Sequence, residues 1–223
     1  MKFKAIAKAS LALGTGVITS NIQSVQAKTE VKQQSESELK HYYNKPVLER
    51  KNVTGYKYTE KGKDYIDVIV DNQYSQISLV GSDKDKFKDG DNSNIDVFIL
   101  REGDSRQATN YSIGGVTKSN SVQYIDYINT PILEIKKGNE DVLKDLYYIS
   151  KEDISLKELD YRLRERAIKQ HGLYSNGLKQ GQITITMKDG KSHTIDLSQK
   201  LEKERMGDSI DGTKIDRILV EIK

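Results

Sequence analysis

The chain has 223 residues, with 36 Lys or Arg against 33 Asp or Glu, three histidines and no cysteine. The missing thiols exclude disulfides, cysteine nucleophiles and cysteine-bound zinc, so stability must come from packed cores alone. Residues 1–27 carry Lys2, Lys4 and Lys8 and no acid, so the remainder has 33 basic residues against 33 acidic ones and lacks the basic excess of a nucleic-acid-binding domain.

Those first 27 residues have the layout of a secretory signal. A lysine-rich start precedes an apolar run from Ala9 to Ile18, and Val25-Gln26-Ala27 offers a small-residue cleavage site. The run falls short of the roughly 20 residues that cross a bilayer, so no membrane insertion is expected. The sequence therefore predicts an exported, soluble protein that begins near Lys28. Residues 28–36 are polar and aperiodic and read as a flexible lead-in.

A short helix is expected around "SELKHYY", ended by Pro46. Short Val-, Ile- and Tyr-rich runs follow: "DYIDVIVD", "SQISLVG", "DVFILRE", "GGVTK" and "VQYIDYI". They are separated by the Gly/Asp/Asn loops "EKGK", "SDKDKFKDGDNSN" and "EGDSRQ", a spacing that suggests a small barrel or sandwich over residues 37–129. In "QYIDYIN", alternation puts Tyr124 and Asp126 on one strand face and Ile125 and Tyr127 on the other, a stave of that barrel, with a tyrosine-rich binding surface as the rival reading. The texture changes near residues 128–131, and a second domain is expected over 130–223. Its elements are a strand "PILEIKK", a long helix, the alternating hairpin "GQITITMKDGKSHTIDL" and a final strand "RILVEIK". One helix across a sheet makes this an α+β chain.

The helix lies in "ISLKELDYRLRERAIKQHGLY". Ser155 and Glu158 have capping-box spacing, Leu156, Leu159, Leu163 and Ala167 form an apolar stripe, and Gly172 suits a left-handed stop. Glu158/Arg162, Asp160/Arg164 and Glu165/Lys169 stand four residues apart, acid first, each pair contributing roughly 0.2–0.5 kcal/mol. Every position has a structural role, so the segment reads as a scaffold helix with a solvated charged face. The rival reading is a basic recognition strip of Arg162, Arg166 and Lys169.

The same segment resembles a signature of staphylococcal and streptococcal superantigen toxins, met here by Lys151, Ile154, Leu159-Asp160, Arg164 and Leu173-Tyr174; Ala167 departs from the usual leucine. Gly114-Gly115-Val116-Thr117 is similar to a second signature of that family, with Ile113 replacing its tyrosine. "LEKERMGDSID" before the last strand is also similar. The likeness spans nearly the whole mature chain and is closest to the staphylococcal superantigen-like, or exotoxin-like, branch. It implies an N-terminal OB-fold β-barrel followed by a C-terminal β-grasp domain with a long packed helix. It also implies a secreted virulence factor without superantigen activity that binds and blocks host immune or haemostatic proteins. Host plasma or leukocyte glycoproteins are the implied partners. Sialylated glycans are the alternative ligands, met on the C-terminal domain near residues 178–188, where Lys179, Gln180, Gln182 and Thr186 supply polar groups. Inhibition of host proteases by surface complementarity is a further alternative, and pairing of two copies through an exposed edge strand stays open.

No catalytic constellation is visible. His41, His171 and His193 lie in no serine-hydrolase motif, and His171 reads as a charge partner for the helix C-terminus. His193-Thr194-Ile195-Asp196 puts His193 and Asp196 on opposite strand faces, which argues against zinc. "GDSIDGTK" has Thr213 before Lys214, the reverse of a phosphate loop, and a calcium loop started at Asp89 puts Asn94 where glycine is required. Neither cofactor, metal nor catalytic residue is expected, and no partner-binding residue can be assigned from the sequence.

Overall fold

The computed structural model describes residues 34–103, 109–122 and 126–223. The expected signal, 1–27, lies outside them. Helix α1, Glu36–Tyr43, is opened by a full capping box: the Ser35 hydroxyl accepts from Glu38 N while the Glu38 carboxylate accepts from Ser35 N at 2.8 Å. Ser35 and Glu36, read as lead-in, thus already belong to the helix.

Six strands follow: β1 Val47–Glu60, β2 Lys63–Val70, β3 Gln73–Ser78, β4 Gly90–Leu100, β5 Asn110–Ile113 and β6 Val116–Lys118, with the single turn α2, Asp83–Lys86, before β4. Their order is β5-β3-β2-β1-β4-β6, antiparallel except for the parallel pair β3–β5. The two tight hairpins turn on Lys61-Gly62 and Asp71-Asn72, all four at positive φ, the backbone that matches strand twist. Register shifts in β1 between Arg50 and Gly55 bend the sheet around Ile66, Val68, Ile77, Leu79, Phe87, Ile95, Val97, Ile99 and Val116. Gly55 is required at the bend, because a Cβ there would stand 2.8–2.9 Å from Ile66 and Ile95. The curl brings the end of β4 back to β5, where Glu102 N donates to Tyr111 O at 2.9 Å.

The second half contains β7 Ile132–Lys137, β8 Glu140–Leu146, β9 Asp153–Ser155, α3 Leu156–His171, β10 Gly181–Met187, β11 Ser192–Asp196, β12 Ser209–Asp211 and β13 Ile215–Ile222. The main sheet runs β11-β10-β13-β7-β8 with β13 parallel to β7, and β9 pairs with β12 in a separate ribbon. Cross-strand neighbours Ile183/Val220, Ile185/Ile218 and Leu133/Ile218 face Leu159, Leu163 and Ala167 of α3 in one buried cluster. Burying each such aliphatic side chain contributes about 1.5–3 kcal/mol.

Several expectations need correction. Gly90–Asn94, read as loop, is strand, because pairing with β1 (Tyr56 opposite Asp91, Gly55 opposite Asn92) overrides weak local propensity. Of the stretch read as a barrel stave, residues 123–125 lie outside the described residues, and Asp126–Ile128 are irregular; Ile128 N donates to Ile149 O at 2.7 Å. The box on α3 is half formed. Ser155 accepts from Glu158 N at 3.1 Å, but the Glu158 carboxylate turns instead to Lys151 and Arg162. The helix face is not wholly solvated either: Arg164 and Asp160 are fully buried partners, 2.5 Å apart.

The signature residues build the brace between the two halves. Tyr43 of α1 donates its hydroxyl to Asp160 at 2.6 Å. Arg164 spans from Asp160 to the Tyr174 hydroxyl and the carbonyls of Leu197 (3.1 Å), Gln199 (2.9 Å) and Asp196 (2.8 Å). The glycine pair forms a backbone seam. Gly115 N donates to Met206 O at 2.9 Å, and a Cβ on Gly114 would lie 2.2 Å from that oxygen. Buried Lys157 ties α3 to the barrel through Ser112 Oγ (2.7 Å) and Ile113 O (2.6 Å), and burial pushes its ammonium down to about 8.

Candidate binding site

The barrel and the C-terminal half leave a polar groove on one flank of α3. Its narrower part, about 410 Å³, lies between Glu49 and Lys51 of β1, the segment Tyr147–Lys151 and the α3 residues Glu158, Arg162 and Arg166. The wider part, about 1090 Å³, is lined by Asn52, Lys86, Asn92, Asp96, Lys118 and Asn120. Lys51 and Ser150 line both parts and join them.

Position and charge here follow from the elements. The β1 bulge, with Asn52 at φ 52°, turns Asn52 N onto the Asp96 carboxylate at 2.9 Å. Helical spacing puts Glu158 and Arg162 on the groove side of α3, where Arg162 bridges Glu158 (2.9 Å) and Glu49 (2.7 Å). Lys151, nearly buried, lies 2.7 Å from Glu158 and 3.0 Å from Glu49. Burial would raise the Glu49 pKa, but Lys151 and Arg162 outweigh it and hold the carboxyl below its usual range. Burial would likewise lower Lys151, yet Glu158 and Glu49 hold it above the usual lysine range. The floor is a self-neutralising ion-pair network.

The rim is apolar. Tyr127 and Tyr148 are 51 % and 61 % exposed with ring centroids 5.0 Å apart, and Leu146 is also exposed. Val122 is exposed at the wide end. Tyr127, expected as a barrel stave, stands instead on this rim, and its pairing with Tyr148 depends on contacts across the chain that spacing does not report.

The residues singled out from sequence are dispersed. Arg162, Arg166 and Lys169 are each engaged, with Glu158 and Glu49, with Asp145 at 2.9 Å, and with Glu165 at 2.7 Å. Their charge is spent within the fold, so the strip is not a free basic surface. Lys179, Gln180, Gln182 and Thr186 lie on the approach to β10 and on its outer side, away from the groove; Gln182 donates to Glu221 at 3.1 Å. His171 is not the expected charge partner: its Nε2 is buried without a hydrogen bond, and burial, then Arg166 and Lys137, lowers its pKa. His193 and Asp196 face opposite sides of β11, with buried Ile195 between them. The loop before Asp89 is tied by Lys57, whose ammonium donates to Lys84 O (2.7 Å) and Phe87 O (2.9 Å). In the former phosphate-loop candidate, Asp211 accepts from Thr213 N at 3.0 Å and caps a turn. Among the described residues no three His, Cys, Asp or Glu side chains converge on a metal position, and no helix is long and apolar enough to cross a membrane.

Comparison with known proteins agrees with this architecture. Residues 37–120 match the family model for the staphylococcal superantigen-like OB-fold domain, and residues 128–222 match that for the staphylococcal/streptococcal toxin β-grasp domain. Staphylococcal superantigen-like 1 of Staphylococcus aureus (strain Newman) is 87 % identical over 226 residues, covering all of both chains. The crystal structure of an exotoxin 6 from Staphylococcus aureus Mu50 is 90 % identical, with TM-score 0.83 over 86 % of this chain and all of that one. Superantigen-like protein SSL5 of the same genus, crystallised with sialyl Lewis X, is 38 % identical with TM-score 0.79, over 85 % of this chain and all of that one.

Proposed function

This chain belongs to the staphylococcal superantigen-like family, and we propose that it is a secreted, non-enzymatic virulence factor that binds and blocks a host immune or haemostatic protein. The OB-fold and β-grasp halves supply rigid walls, and the groove between them supplies the contact surface. The carrying observation is the exposed Tyr127–Tyr148 pair beside a groove whose floor charges, Glu49, Lys151, Glu158 and Arg162, are already paired. Clustered exposed aromatics on a soluble scaffold mark interaction sites, and tyrosine brings large contact area at small entropic cost. The neutral floor suits polar recognition at the rim and offers no reactive centre. Affinity capture from human plasma and leukocyte lysate, with the intact chain and with Tyr148→Ala, tests this. A specifically retained host protein that Tyr148→Ala releases is expected; an equal yield from both, or nothing above background, refutes it.

A second reading is a sialylated-glycan site on the β-grasp half, supported by the sialyl Lewis X complex of SSL5. It would use the polar residues around β10, including Gln182 and Thr186. Cell binding that is unchanged after sialidase treatment eliminates it.

A further inference from the structure

The outer face of the barrel strands β1, β2, β3 and β5 carries an unusual set of side chains. Alternation turns Gly55, Ile66, Val68, Ser75, Ile77 and Ser112 inward, where all are buried or packed. It turns Tyr56, Tyr58, Tyr65, Tyr74 and Tyr111 outward together with Asp67, Ile69 and Gln76. Register makes these neighbours: Tyr58 opposes Tyr65, Tyr56 opposes Asp67, Ile69 opposes Tyr74, and Gln76 stands between Asp67 and Tyr111. Tyr56, Tyr58 and Tyr65 form a ladder of nearly parallel rings, with centroids 6.4 and 5.7 Å apart and planes inclined by 31° and 29°. Its open end is Tyr56, 56 % exposed, and Ile69 alongside is 70 % exposed. Beside the ladder is an ordered polar row. Tyr74 donates to Asp67 at 2.7 Å, and Gln76 donates to the Tyr58 hydroxyl at 2.7 Å.

We propose that this face is a binding site for uncharged saccharide chains. Pyranose rings present apolar C–H faces that lie on aromatic rings and hydroxyl rims that need fixed acceptors and donors. The ladder and the Asp67–Gln76 row provide both side by side, and the Asp67 carboxylate retains acceptor capacity beyond its phenol partners. The face between strands 2 and 3 is also where barrels of this class take extended oligomeric ligands. Charge selects among those. The charges that the described residues bring to this face are the Asp67 carboxylate, Asp91 opposite Tyr56, and the opposed pair Glu60 and Lys63 at the far end beyond Tyr58 and Tyr65, an acidic balance that repels phosphate-bearing strands and sialylated chains. Burial raises the Asp67 pKa, and the hydrogen bonds from Tyr74 and Tyr58 oppose that shift. The site lies on the barrel, apart from the groove and from β10, and stands or falls independently of both.

Saturation-transfer NMR on the full mature chain with maltohexaose, cellohexaose and chitohexaose tests the proposal, with a hyaluronan hexasaccharide as the acidic comparison. Saturation of pyranose C–H protons in at least one neutral hexasaccharide is expected, weaker with hyaluronan, and reduced at least tenfold in affinity by Tyr56→Ala, which alters only an exposed ring. Tyr58→Phe should retain binding, because stacking survives loss of the hydroxyl. No transfer to any neutral hexasaccharide, or transfer indifferent to Tyr56→Ala, overturns the proposal. Sedimentation that reveals a dimer abolished by Tyr56→Ala would assign the face to self-association, and a plasma protein held there after enzymatic deglycosylation would assign it to protein docking; either result also overturns it.

Discussion

Arg164→Met tests the internal brace most directly. The guanidinium is fully buried, lies 2.5 Å from Asp160, sits 4.5 Å from the centroid of the Tyr43 ring, and donates to three backbone carbonyls. Methionine fills much of the volume but supplies no donor. Breaking a buried pair from one side costs roughly 3–5 kcal/mol, because the remaining charge is left uncompensated. Each orphaned carbonyl adds about 1 kcal/mol or more, though such terms overlap within one network. A loss of at least about 4 kcal/mol is expected, against a total of about 5–15 kcal/mol for an ordinary domain. Urea unfolding at pH 7 measures it, with Arg166→Met as the internal comparison. That residue lies on the same helix but pairs with half-exposed Asp145, and its loss should cost under about 1 kcal/mol. The Arg164→Met defect should shrink toward pH 4, because a protonated Asp160 leaves no unpaired charge. Equal losses from the two variants, or a loss below about 1 kcal/mol from Arg164→Met, would refute the reasoning.

Asp83 is fully buried with neither carboxylate oxygen hydrogen-bonded, and burial, reinforced by Asp153 and Asp208 against Lys86, raises its pKa well above the carboxylate range. Its folded-state pKa is the higher one, so its contribution is complete below the unfolded value near pH 4 and is lost as pH rises toward the folded value. Asp83→Asn should therefore match the parent near pH 4 and exceed it by about 1 kcal/mol or more at pH 8; parallel stability curves would contradict this. Gly114→Ala should cost more than about 2 kcal/mol in the same assay, from positive φ and a clash with Met206 O across the seam. Tyr148→Ala should weaken capture of the host partner at least tenfold, about 1.4 kcal/mol, while leaving the melting temperature within a degree of the parent.

Local chemistry made the second half legible. Period-two alternation in β10 and β13 and the apolar stripe of α3 can each be buried in only one way, so Ile183, Ile185, Ile218, Val220, Leu159 and Leu163 form the core that spacing predicts. Ser155 and Gly172 bound the helix for equally local reasons, the latter with φ 76°. The first half was less legible. β1 escaped sequence reading because its bulges break alternation, and Gly90–Asn94 is strand only through pairing with β1. The signature residues were visible as a pattern, but their work, holding α1 and α3 to the loop after β11 through Tyr43, Asp160, Arg164 and Tyr174, required the fold.

By itself the sequence settled periodicity, the bounds of α3 at Ser155 and Gly172, the lack of thiols and the family, because each depends on residues near one another along the chain. Whether a charge is free or spent was decided only in three dimensions. Spacing along α3 already paired Arg162 with Glu158 and Lys169 with Glu165, but the acids that also engage Arg162 and Arg166, Glu49 and Asp145, come from other elements. The groove, its Tyr127–Tyr148 rim and the tyrosine ladder were decided there as well. The groove and its rim are made by strands and loops distant in sequence, while the ladder needs the β1–β2 register to set Tyr58 opposite Tyr65; such contacts are properties of the fold and not of residue spacing alone.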